Sequence, residues 1–359
     1  MADVQIPKTY KAAVYDAPGS ISTAVKELET PEPGPGEVLV NLTHSGVCHS
    51  DLGVMTCSWR GLPFPTPKGQ VGGHEGVGKV VKLGPGAEAS GIKVDDRVGI
   101  KWMAGICGSC PPCLEGRDGV CANGKISGYY TPGTFQQYVL SPANYVTRIP
   151  DGLDSAAAAP MLCAGVTVYS ALRKSGAQSG QWIALLGAGG GLGHIAAQIA
   201  SKGMALRVIG IDADSKKQLV LDSGAEHFIG LGEGDVVAKV LELTGGLGVQ
   251  AALVLTAANA AYASAPRLIK FGGCVVCVGI PEGDMVPIGT AFPQLLVAKE
   301  QSIIGVAVGN RKDAIETLDL AARGLVKVHY RTEKMEKLTE VFQEMHEGKL
   351  HGRVVLDLQ

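Results

Sequence analysis

A chain of 359 residues has room for two domains of ordinary size, each with its own core. Charged residues make up 18% and the formal net charge is −2. That leaves no basic face for nucleic acid or for an anionic membrane surface, so neither is an expected partner. Aromatics are only 5% while glycine reaches 50 residues, which suits an α/β protein with many tight strand-to-helix turns.

No apolar run reaches the roughly 18 to 20 residues that a membrane span needs. Met1 to Pro7 carries neither a signal-peptide apolar stretch nor an arginine-rich transit pattern. The expected address is cytoplasmic. In a reducing compartment the nine cysteines are free thiols or metal ligands rather than disulfides.

In chain order, residues 8–16 read as a first strand and residues 31–36 as a proline–glycine turn cluster. Residues 37–42 form a second strand that feeds into Gly46-Val47-Cys48-His49-Ser50-Asp51. Residues 78–84 and 96–100 continue the β character with glycine corners. Such short, punctuated strands predict a partly open barrel. Cys107, Cys110, Cys113 and Cys121 follow, spaced by 3, 3 and 8. The two C-x₂-C turns each present a pair of sulfurs, and four thiolates close a tetrahedral zinc site of the structural kind. A redox pair or unrelated thiols is the rival reading.

The texture changes near residue 150. An alanine-rich segment at 154–163 leads into a helical pattern at 166–174. Residues 182–187 make an apolar strand that meets a turn of Gly187, Gly189, Gly190, Gly191, Leu192 and Gly193. A helix at 194–202 and a strand at 207–212 ending in Asp212 complete a dinucleotide-binding fingerprint. The glycines let the backbone approach a pyrophosphate seated on the helix N-terminus. The strict pattern is met only as Ala188-x-Gly190-x-x-Gly193. Asp212 stands where a carboxylate accepts the ribose hydroxyls and repels a 2′-phosphate, which favours NAD over NADP. Strands at 252–256, 273–279 and 302–306 alternate with helices, predicting a doubly wound parallel sheet. Cys274 and Cys277 fall three apart in one strand, face oppositely, and belong to the core. Helices are expected at 314–324 and 334–347, and a strand at 351–358 that returns to the first domain. The boundaries are 1–160, completed by 311–359, for the first domain and 161–310 for the second.

Cys48, His74 and Cys163 stand 26 and 89 residues apart, so only a folded domain can gather them. Two thiolates and one imidazole suit Zn²⁺, and three protein ligands leave a fourth position open, as in catalytic zinc sites. A single buried cysteine or histidine is more often core filling. The joint reading draws its force from the rest of the chain.

Taken together, Cys-His-Ser-Asp-Leu at 48–52, Gly-Gly-His-Glu-Gly at 72–76, Gly-Ile-Lys-Trp-Met at 99–103 and the cysteine cluster at 107–121 resemble the zinc-dependent medium-chain alcohol dehydrogenases of the tetrameric yeast and fungal type. Gly-Thr-Phe-Gln-Gln-Tyr at 133–138, Leu-Cys-Ala-Gly-Val-Thr-Val-Tyr at 162–169, Val-Gly-Asn-Arg at 308–311 and Gly-Arg at 352–353 extend the likeness nearly end to end. The resemblance implies a GroES-like catalytic domain joined to a Rossmann domain, NAD and two zinc ions per subunit, a homotetramer, and a small alcohol or aldehyde as substrate.

It also implies roles. Cys48, His74 and Cys163 would hold the catalytic zinc, and the four clustered cysteines the structural one. Glu75 matches the acid beside the catalytic metal, Asp51 the partner of His74, and Ser50 the hydroxyl that takes the alcohol proton. His49 and Arg353 match residues near the cofactor pyrophosphate, Lys217 one near the adenosine ribose, and Thr167 one near the nicotinamide. Val278 and Val308 complete the cofactor set. Trp59 and Trp102 match residues that narrow the pocket, so short primary alcohols are expected, with larger, aromatic, secondary or polyol alcohols as the alternative. Relatives carry a histidine three residues after the relay hydroxyl. Here that position is Gly53, so a weaker or shifted low-pH limb of turnover is expected. A zinc-free reductase would lack Cys48, His74 and Cys163, and a non-catalytic scaffold would have lost Ser50 or Asp212.

Overall fold

The computed structural model describes residues 5–359, which form two compact units. One runs to Cys163 and takes in Asn310–Ala322 and His329–Gln359; the other comprises Ala164–Gly309 and Arg323–Val328. The reading of the N-terminus as free of a leader rests partly on residues 1–4, which lie outside the described residues.

The first unit is built on a seven-stranded sheet. Its path runs Thr147–Arg148, Arg97–Ile100, Gly76–Leu83, Glu37–Val47, Arg353–Asp357, Tyr330–Lys334, and Tyr138–Pro142 pairs with Glu37–Val47 off that path. Val38, Leu39, Val40 and Leu42 are all buried, so the long strand is covered on both faces. The closing strand is equally apolar at Val354, Val355 and Leu356 and pairs antiparallel with Val47 to His44. A second sheet orders Thr23–Glu29, Thr9–Tyr15 and Gln70–Val71. The core between these layers holds Tyr15, Phe135, Leu338 and Phe342.

Two differences from expectation bear on how the first unit is built. Tyr330–Lys334 is an edge strand, and the helix expected from residue 334 begins at Leu338 after a turn at Met335–Lys337. The strand YRTEK has no apolar alternation; its parallel pairing with Arg353–Asp357 sets it. Second, Ser155–Pro160, a π-helical turn at Met161–Gly165, and Val166–Lys174 join into one 20-residue helix. It is long and apolar enough to cross a membrane, contrary to the expectation of no such run, but 83% of it is buried inside the protein as in a core helix. Pro160 interrupts the pattern in sequence; in the fold the wider π turn follows it and the helix continues.

The second unit is a six-stranded sheet, parallel throughout, ordered His227–Gly230, Arg207–Asp212, Trp182–Leu186, Val249–Val254, Ile269–Cys277, Ser302–Gly305. Numbered along the chain this is order 3-2-1-4-5-6, the doubly wound arrangement whose ligand crevice lies at the carboxyl ends of strands one and four. Ile183, Ala184 and Leu185 are fully buried, as central parallel strands require. Cys274 is buried, while Cys277 packs against the main core of this unit. Burial raises both thiols above their usual range, consistent with inert core residues.

Candidate metal centres and cofactor turn

Cys48 sits where the strand Glu37–Val47 gives way to the helix His49–Met55, which is why a short hydrogen-bonded cap forms here. The Cys48 amide donates to Asp51 Oδ2 at 2.9 Å. The other Asp51 oxygen lies 2.8 Å from His74 Nδ1. A carboxylate only accepts, so this bond keeps the proton on Nδ1 and leaves Nε2 as the free donor atom. Nε2 lies 3.2 Å from Cys163 Sγ, which in turn is 4.0 Å from Cys48 Sγ. Cys163 reaches this point from the π-helical turn, a local widening often found at functional sites.

All three side chains are buried, and their ligand atoms, with a Glu75 oxygen, lie within 4.8 Å of one another. Zinc with Zn–S bonds of about 2.3 Å sets tetrahedral sulfurs about 3.8 Å apart, so the donor set fits the ion. The electrostatics fit too. The Cys48 thiol is held well below its usual range by the Cys163 thiol and by His74, whereas the Cys163 thiol is pushed well above by the Cys48 sulfur and by burial. Burial opposes charge on His74, yet Asp51 and Cys48 favour the imidazolium, so a bound zinc ion would take the place of its Nε2 proton. Two buried sulfurs this close need a cation to ionise together.

Glu75 is fully buried, and its Oε1 pairs with Nη2 of Arg353, itself only 4% exposed. Glu75 Oε2 and Arg353 Nε have no hydrogen-bond partner, so the pair is held in register but incompletely satisfied. Burial lifts the Glu75 carboxyl to about 7 against the opposing pull of Arg353. Gly46 makes room for it, since a Cβ there would lie 1.9 Å from Glu75 Oε2. The family resemblance implies a place near a pyrophosphate for Arg353; in the structure its Nη2 pairs with Glu75 while Nε makes no hydrogen bond. His49 is exposed, and Ser50 Oγ lies 3.6 Å from Cys48 Sγ.

Trp102 packs edge-on against the His74 ring at 4.9 Å, and Trp59 packs on Trp102 at 6.1 Å. Next to Trp102, sequence reasoning missed a buried cation. Lys101 Nζ donates to the Tyr145 carbonyl at 2.9 Å and Thr147 Oγ1 at 2.7 Å, and lies 4.5 Å from the Tyr145 ring centre. Burial drives its ammonium down to about 7. Tyr145 Oη in turn donates to Asp118, three residues before Cys121.

The four clustered cysteines also converge. Cys110 Sγ lies 3.4 Å from Cys113 Sγ and 3.9 Å from Cys121 Sγ, and Cys121 Sγ lies 3.6 Å from Cys107 Sγ. These separations again match tetrahedral zinc, and four sulfurs leave no open position. Backbone amides of Ser109 and Cys110 hold the Cys107 thiol down at about 5.

In the second unit the glycine turn joins Trp182–Leu186 to the helix Gly193–Gln198. Gly187 has φ 89°, which only glycine adopts without strain. Gly193 lets helix and strand touch: a Cβ there would lie 2.1 Å from the Gly187 carbonyl oxygen. The Gly189 amide donates to Asp212 Oδ2 at 2.7 Å, so the acid at the strand end also braces the turn. Lys216, not singled out from sequence, packs its Cβ over Gly189, while Lys217 is exposed at the start of its helix. Thr167 is buried, and Val278 and Val308 are half-buried. Val308 has φ 51°, a strained conformation for a β-branched residue.

Comparison with known proteins identifies the family. Residues 34–151 match the alcohol dehydrogenase GroES-like domain, and residues 191–323 the zinc-binding dehydrogenase family. The chain is 62% identical to alcohol dehydrogenase 2 of Emericella nidulans, covering 100% of both, and 41% identical to an alcohol dehydrogenase of Schizosaccharomyces pombe, covering 98% of this chain and 99% of that one. Among solved structures it is similar to acetophenone reductase from Geotrichum candidum in complex with NAD, at TM-score 0.84 and 30% identity with 98% of each chain covered. The alcohol dehydrogenase of Aeropyrum pernix gives TM-score 0.86 at 29% identity, covering 97% of this chain and 99% of that one.

Proposed function

This chain belongs to the zinc-dependent medium-chain alcohol dehydrogenases, and from that membership we infer that it oxidises an alcohol to its carbonyl compound, and runs the reverse, with NAD as hydride carrier. The observation that carries the reading is the buried gathering of two sulfurs and one imidazole from Cys48, Cys163 and His74. When bound, zinc supplies Lewis acidity toward the alcohol oxygen and NAD accepts the hydride.

The chain's own residues do the rest. Cys48 Sγ, Cys163 Sγ and His74 Nε2 would hold the catalytic ion, and Asp51 holds the His74 proton at Nδ1. Ser50 Oγ takes the alcohol proton. Gly53 offers nothing that titrates one turn further on, so the proton leaves by another route. Asp212 holds the adenosine ribose, and Gly187 to Gly193 admit the pyrophosphate. Cys107, Cys110, Cys113 and Cys121 would hold a structural ion that fixes their loop.

The substrate class proposed is a short primary alcohol, ethanol first, because Trp102 packs edge-on against His74 and Trp59 packs on Trp102, which would narrow the space next to the metal ligands. A secondary or aromatic alcohol is the rival, suggested by the acetophenone reductase likeness. Initial rates of NADH formation with ethanol, 2-propanol, a polyol and benzyl alcohol decide between them; a higher kcat/KM for 2-propanol or benzyl alcohol than for ethanol refutes the short-primary reading. Self-association into a tetramer is supported by an unburied helix, Pro293–Lys299, which precedes the edge strand Ser302–Gly305 in the chain, with Met285 80% and Val297 79% exposed. Light scattering coupled to gel filtration tests it, and a monomer refutes it. None of the nine cysteines is in a disulfide, which supports a reducing compartment such as the cytoplasm.

A further inference from the structure

Gly53 lies one helical turn after Ser50 in His49–Met55 and is buried. A Cβ at this position would stand 2.6 Å from Trp59 Nε1, 2.8 Å from Cε2 and 2.9 Å from Cδ1. All three distances are shorter than carbon makes to any unbonded neighbour, so the indole occupies the volume a side chain at 53 would need. The Trp59 backbone is tied locally, with the Ser58 amide donating to the Gly53 carbonyl and the Leu62 amide to the Trp59 carbonyl. The ring also meets Trp102, which meets His74, which Asp51 pins.

Trp59 Nε1 is buried without a hydrogen-bond partner. No hydrogen bond from the protein therefore orients the ring; packing does. Helix propensity points the same way. Alanine is favoured over glycine by about 1 kcal/mol in a helix interior, so a glycine here works against the helix it sits in.

We propose that Gly53 is a positioning residue for substrate selection: the missing side chain seats the Trp59 indole against the helix and so fixes the wall Trp59–Trp102–His74 beside the metal ligands. The inference rests on the reading of Trp59 and Trp102 as walls of the alcohol pocket. A methyl group at 53 cannot push the ring toward Trp102, because that ring is already closed against the pinned His74. The indole must swing out of its slot, which opens the pocket to longer alcohols.

The test compares Gly53→Ala, Trp59→Ala and the double variant. Two quantities are read with NAD: the ratio of kcat/KM for 1-hexanol to that for ethanol, and the exciton couplet that the Trp59–Trp102 pair gives in circular dichroism. Each single variant raises the ratio, by about tenfold, the usual scale for a pocket that gains or loses room for a methylene or more. The double variant matches Trp59→Ala alone, because the two positions act through one ring. The couplet weakens in Gly53→Ala. If Trp59→Ala leaves the ratio unchanged, the pocket reading itself fails. If Trp59→Ala shifts it while Gly53→Ala leaves ratio and couplet at the parent values, or slows both alcohols in proportion, or adds fully in the double variant, this inference alone is overturned. Should Gly53→Ala not fold, Gly53→Ala with Trp59→Phe restores folding if the clash is with the indole; failure to restore it overturns the proposal.

Discussion

Replacing Asp51 by asparagine tests how the metal centre is tuned. Asp51 accepts from His74 Nδ1 at 2.8 Å and from the Cys48 amide at 2.9 Å, and it is 2% exposed. Asparagine has one acceptor and one donor end and cannot satisfy both. If its oxygen stays on the Cys48 amide, its NH₂ meets Nδ1, which must then give up its proton. The tautomer shifts, Nε2 carries hydrogen, and the lone pair aimed at the metal position is lost. If the amide turns the other way, two N–H groups face each other at the helix cap. Either arrangement forfeits one buried charge-assisted bond, worth about 1.5–3 kcal/mol. Partners of ligating histidines usually cost 10–100-fold in metal affinity when changed, or about 1.4–2.8 kcal/mol, the same range. Competition with a chromophoric chelator reads this directly, since the four-cysteine site is an internal standard. Asp51→Asn should release one ion per chain at about 10–100-fold lower chelator strength while the other ion stays put. Parent-like affinity for both ions would refute the tautomer argument.

Three further outcomes follow from the structure. Asp212→Ser should cut kcat/KM for NAD at least about tenfold and admit NADP, because the turn loses its brace and the 2′-phosphate its repulsion; steady-state kinetics with both cofactors check it. Gly193→Ala drives a carbon into the Gly187 carbonyl and should abolish NAD binding, seen by calorimetry, while metal content is unchanged. Lys101 has its ammonium lowered to about 7, against about 10.4 when unfolded, so between those values the unfolded chain binds the extra proton and stability rises with pH. Lys101→Met should flatten the rise in urea midpoint between roughly pH 7 and pH 9, and an unchanged slope would refute the assignment.

What the sequence showed plainly was local. The glycine turn, its flanking strands and Asp212 lie within one stretch, and four cysteines within fifteen residues announce their own geometry. The metal set of Cys48, His74 and Cys163 emerged only because family motifs surround each member. The buried partnership of Glu75 with Arg353 spans 278 residues, and neither residue type is expected in a core. Lys101 likewise reads as a surface cation until Tyr145 and Thr147 are folded over it. The strands Thr23–Glu29 and Tyr330–Lys334 are mostly exposed, so pairing rather than apolar alternation decides them. The π turn that carries Cys163 has no sequence signature beyond the proline before it.

The most direct measurement is zinc content together with ethanol-dependent NADH formation for the parent chain and for Cys163→Ala. The account predicts about two ions per chain in the active parent, and about one in a folded variant that forms no NADH. A variant that kept both ions, or that lost one and still oxidised ethanol at the parent rate, would contradict it.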